Sequence, residues 1–140
     1  MKLGLVMIPL SVAAMLTLPV CDGAEAGRSP ITIHVLDTSR GKPAAGVAVI
    51  LELADGKEWR ELAKGKTDGD GRIETLLPKN KPVAPGIYRV TFESGAYFAE
   101  TKTKTFYPRI TVLFEVVVPK EHYHVPLLLS PFGYSTYRGS

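Results

Sequence analysis

The chain has 140 residues, 17 basic and 14 acidic side chains, and a single cysteine. That length bounds the protein to one small domain. The basic residues are scattered without a run of like charge, so the net charge of +3 reads as solubility and gives no footprint for a nucleic-acid partner.

Residues 1–26 read as a secretory signal peptide. Lys2 supplies the positive start, Leu3 to Leu18 is an uncharged apolar run interrupted by Pro9, and Ala24-Glu25-Ala26 is a small-x-small cleavage site. The run is short for a membrane span, and Gly4 and Pro9 break it, so no membrane partner is expected. Val20 before Cys21 is too large for a lipoprotein signal. The expected product is a single domain over 27–140, in a soluble periplasmic form. Loss of Lys2, Asp22 and Glu25 leaves 16 basic and 12 acidic residues, a net charge of +4. Cys21 leaves with the leader, so the domain has no disulfide and must bury enough surface alone or by oligomerising.

Strand signals fill the rest. "ITIHVLD" alternates, with Ile31, Ile33 and Val35 on one face and Thr32, His34 and Leu36 on the other. "RGKPAAG" breaks it, and the apolar run Val47 to Leu53 follows as a central strand. Asp55-Gly56 is a strong hairpin signal, returning through "EWRELAKGKT". "DGDG" turns the chain into "RIETLL", Arg72 to Leu77. After the Pro-rich "PKNKPVAPG" come Ile87 to Glu93, a short helix over Ala96 to Thr101, Arg109 to Val118, His122 to Ser130, and a last strand over Tyr134 to Arg138. The sum is an all-β protein, an eight-stranded antiparallel β-sandwich with one short helix near residues 96–101.

"TDGDGR" invites comparison with a calcium loop. Lys66 stands where the first Asp belongs and Leu77 where the closing Glu belongs. A tight turn with Gly69 and Gly71 at positive φ is the expectation.

The domain holds three histidines. In "HYHVPLLLS", Tyr123, Val125, Leu127 and Leu129 share the core face, while His122, His124, Pro126 and Leu128 share the other. His34 also lies off the core face. If its strand neighbours the later one, His34 meets one of the pair across strands, about 5 Å apart at Cβ. Three uses fit such a cluster: solvated surface, a zinc site of His34 with the His-x-His pair, or general acid–base catalysis. No carboxylate stands out to orient zinc-bound rings. Leu36, Pro126 and Leu128 make the face half apolar, as at a pocket or subunit interface. Arg72 opens its strand where a guanidinium can reach an anionic oxygen.

"HVLDTSRGKPAAGVAVILE", "KTDGDGRI", "GIYRVTFESGAYF" and "HYHVPLLLSPFGYSTYRGS" together resemble the transthyretin-like 5-hydroxyisourate hydrolases, from about Ile31 to Ser140. The resemblance implies a prealbumin-like sandwich that assembles as a homotetramer with sites at the dimer–dimer interface. It implies hydrolysis of the small molecule 5-hydroxyisourate, without metal or other cofactor. It places the catalytic set on His34, Arg72 and His124, with His122 as a neighbour. It places substrate binding on Tyr137, Arg138, Gly139 and Ser140, the ending that separates these enzymes from the transthyretin hormone carriers. A small-ligand carrier and a structural prealbumin-like module are the alternatives.

Overall fold

In a computed structural model, residues 27–140 are described. The expected leader, residues 1–26, lies outside the described residues.

Two sheets face each other across one apolar core. The first sheet contains β1 (Ile31–Asp37), β2 (Lys42–Pro43), β5 (Arg72–Ile73), β8 (Tyr123–Ser130) and β9 (Gly133–Thr136). The second runs in the order β4 (Glu58–Lys66), β3 (Ala48–Asp55), β6 (Gly86–Phe92), β7 (Ile110–Val116). The helix α1 (Ser94–Glu100) joins β6 to β7. The alternation read from the sequence sets the layering. Ile31, Ile33 and Val35 of β1 and Val125, Leu127 and Leu129 of β8 are buried against Val49, Leu51, Val90 and Phe92 of the facing sheet.

The expected sandwich is present, with four differences in detail. There are nine strands among the described residues, because Lys42–Pro43 pairs with β1 as a two-residue strand. Leu36 lies opposite Pro43 in that pair. "RIETLL" pairs only at Arg72 and Ile73 before the chain leaves β1. The helix begins two residues early: buried Ser94 donates to the Tyr107 carbonyl at 2.7 Å and so pins its start. Most pairs are antiparallel, but β1 and β8 run parallel, with Ile31 opposite Tyr123 and Asp37 opposite Leu129.

The far end of β1 is anchored by a buried carboxylate. Asp37 accepts from the Ser39 amide at 3.0 Å, the Ser39 hydroxyl at 2.6 Å and the Tyr97 hydroxyl at 2.8 Å. Burial pushes the Asp37 carboxyl up, but the Ser39 and Tyr97 hydroxyls and the backbone amides outweigh it and hold the group below its ordinary range. A group with a lowered folded value stabilises the fold above its unfolded value, and that contribution is lost as pH falls through the folded one.

Candidate active site

The parallel register of β1 and β8 builds the site on the outer face of the first sheet. It sets Thr32 opposite His124 and His34 opposite Pro126. His34 and His124 are thus diagonal neighbours, with ring centroids 6.2 Å apart and planes tilted by 37°. The sequence expectation of a cross-strand histidine pair is met by the diagonal and not by the direct partner. On the other edge of β1, β5 sets Arg72 directly opposite His34.

Arg72 is aimed by the loop before it. The Asp68 carboxylate accepts from the amides of Asp70 at 2.9 Å and Arg72 at 2.8 Å, and the Asp68 amide donates to the Arg72 carbonyl at 2.9 Å. Of the two turn glycines, only Gly71 takes a positive φ, 72°. A Cβ at Gly71 would lie 2.3 Å from the Val35 carbonyl oxygen. Only glycine lets the loop come this close to β1, where the Gly71 carbonyl accepts from the Val35 amide at 2.7 Å.

A polar cleft of about 210 Å³ opens on this face, lined by Thr32, Arg72, Glu74, His122, His124 and Ser140 among others. Thr32 lies between the two later histidines. Its hydroxyl is 3.1 Å from His122 Nε2 and 2.9 Å from His124 Nδ1. His122 Nδ1 donates to the Ser29 carbonyl at 3.0 Å. The two ring centroids lie 6.5 Å apart with nearly parallel planes, at 15°. Sequence reasoning overlooked Thr32 as a site residue, although strict alternation already put it on the face of His34.

The last four residues divide. Gly139 donates its amide to the His124 carbonyl at 3.0 Å, continuing the sheet beyond β9 as an isolated bridge. Its backbone lies close against the His124 side chain: a Cβ at Gly139 would be 2.2 Å from His124 Cδ2. Ser140 reaches the cleft. Tyr137 and Arg138 do not line that cleft; they line a second depression with Leu113, Phe114 and His124 itself. Arg138 donates to Glu121 at 2.8 Å and its guanidinium lies 5.3 Å from the Tyr123 ring centroid.

Burial lowers both catalytic candidates below the ordinary histidine value of 6.5, and the Arg72 cation lowers them further. For His124 the His34, His122 and Arg28 charges add to this; for His34 a hydrogen bond to the Asp70 backbone pushes the other way. Two neutral imidazoles beside a guanidinium can move a proton and hold an anion. Among the described residues, no group of three or more His, Cys, Asp and Glu side chains could hold a metal ion.

Fold and site together define a transthyretin-type β-sandwich with a histidine- and arginine-bearing outer face. The chain belongs to the HIUase/Transthyretin family, whose profile matches residues 31–139. It is 53% identical over 115 residues to a 5-hydroxyisourate hydrolase of Salmonella dublin, covering 82% of this chain and 84% of that one. Its fold matches the structure of Klebsiella pneumoniae 5-hydroxyisourate hydrolase with a TM-score of 0.70 at 38% identity, over 80% of this chain and 100% of that one. It also matches sea bream transthyretin in complex with thyroxine, with a TM-score of 0.73 at 32% identity, over 79% and 95% of the two chains. The backbone is thus about equally close to a hydrolase and to a thyroxine-bound transthyretin, and the side chains on the outer face must decide between them.

Proposed function

We propose that this protein hydrolyses 5-hydroxyisourate to 2-oxo-4-hydroxy-4-carboxy-5-ureidoimidazoline. Relatives named 5-hydroxyisourate hydrolase support a hydrolase of urate breakdown that acts on a cyclic amide. The convergence of His34, His124 and Arg72 on one polar face carries this reading.

Water attacks the ring carbonyl, an oxyanion develops, and the C–N bond breaks as the nitrogen takes a proton. The proton that water loses is the proton the leaving nitrogen needs. Both imidazoles can therefore start neutral, as their lowered values require, and His34 and His124 share the base and acid roles. Arg72 binds the substrate's oxygens and stabilises the oxyanion in a partly desolvated site. Gly139 and Ser140 close the cleft beside His124, and Tyr137 and Arg138 hold that segment in place from its other side. Protonating the imidazole that acts as base stops water activation, and both histidines are lowered, so turnover falls as pH drops through a value below 6.5.

The test is spectroscopic. Urate oxidase acting on urate generates 5-hydroxyisourate, which decays slowly and absorbs in the near ultraviolet. The protein should accelerate that decay many-fold; an unchanged decay would refute the assignment.

The reading extends to assembly and location. The half-apolar outer face and the exposed side chains of Leu113 on β7 and Tyr134 on β9, both edge strands, support a homotetramer. The sequence of residues 1–26 supports export to the periplasm. Native and denatured masses of protein recovered from that compartment check both: four copies, each cut near Ala26.

A further inference from the structure

The hydrolytic scheme gives no role to Thr32 and His122, and with His122 neutral their hydrogen bonds admit one consistent arrangement of protons. The Ser29 carbonyl can only accept, so His122 Nδ1 carries a proton. In a neutral His122, Nε2 is then a bare acceptor, and the Thr32 hydroxyl, 3.1 Å away, donates its single proton to it. With that proton committed, Thr32 Oγ1 faces His124 Nδ1 at 2.9 Å as an acceptor, so Nδ1 carries the proton of His124. The lone pair of His124 is left on Nε2.

We propose that Ser29, His122 and Thr32 form a relay that fixes the tautomer of His124 and presents its Nε2 as the basic nitrogen in the cleft. This rests on the hydrolase reading and deepens it. Thr32 and His122 are positioning residues that act through His124. Arg28, Arg72, Glu74, Lys79 and His34 face this relay on the cleft side, and Lys81, Lys120 and Glu121 line a neighbouring depression with His122.

The experiment has two arms. Long-range proton–nitrogen NMR of histidine-labelled protein, with no substrate present, reads which nitrogen of His124 carries the proton. The wild type should show Nδ1–H at neutral pH. Thr32→Val, close in shape and at home in a strand, should lose that single tautomer, and so should His122→Phe, which breaks the relay at its other end. In turnover, Thr32→Val should lose about 10- to 100-fold in kcat with little change in KM, as removal of an orienting partner does. Thr32→Ser should recover most of that loss. Nε2–H in the wild type, or full kcat in both Thr32→Val and His122→Phe, would overturn the relay. A protein inactive on 5-hydroxyisourate would sink the hydrolase reading and leave the tautomer result standing. An active wild type carrying Nε2–H would sink the relay alone.

Discussion

The two faces of β1 and β8 come from the same fifteen or so residues and answer to different demands. On the inner face, Ile31, Ile33, Val35, Val125, Leu127 and Leu129 are buried and need nothing beyond the protomer. On the outer face, Thr32, His34 and His124 are half-buried; Thr32 bonds both His122 and His124, and His34 bonds the Asp70 backbone. Alternation by twos separates stability from chemistry on a single strand. A substitution on one face should register as unfolding free energy, and on the other as rate.

The sharpest test of that separation is His34→Asn or His124→Asn. Either should keep the fold and melting temperature and lose about 10²- to 10⁴-fold in turnover. Near-normal turnover in either variant would undo the assignment of that histidine. The inverse result is expected one residue off the face. Leu127→Ala should cost about 2–5 kcal/mol in denaturant unfolding, while the folded fraction retains its rate per molecule. The boundary between the faces is probed by Gly139→Ala. Its new methyl group would collide with the His124 ring, and a displaced imidazole should cost on the order of 10²-fold in turnover with little loss of stability. If Gly139→Ala unfolded the protein and left its specific rate intact, the last residues would belong to the structural face.

What the sequence made legible follows from the same alternation. Strands with an apolar residue at every second position, "ITIHVLD" and "HYHVPLLLS", declare both their type and the side on which each histidine falls, because burying the wrong set would strand charged groups in the core. Arg72 was legible through its turn. Pairing partners were not. Periodicity is blind to direction, so nothing local distinguishes the parallel β1–β8 pair from an antiparallel one, and that register makes Thr32 the partner of His124. β2 and β5 are two residues each, too short for any period. The last strand was expected to reach Arg138 but ends at Thr136, because the chain then drops its pairing until Gly139 meets His124. Thr32 escaped notice for a further reason: threonine is a common strand former, so its presence needs no function to explain it.

The parallel pairing of β1 with β8 carries a consequence for how the protein comes into being. Thr32 and His124 stand 92 positions apart in the chain, so the contact that completes the site is among the longest loop closures the domain makes. Closures of that span cost chain entropy before they return any binding, and they slow folding. During synthesis, β8 emerges only after nearly everything else, and until it inserts beside β1 the first sheet has no centre. Catalytic competence therefore arrives with the final docking event. A nascent or half-threaded chain holds the residues of the site without the site, and activity reports that the whole domain has closed.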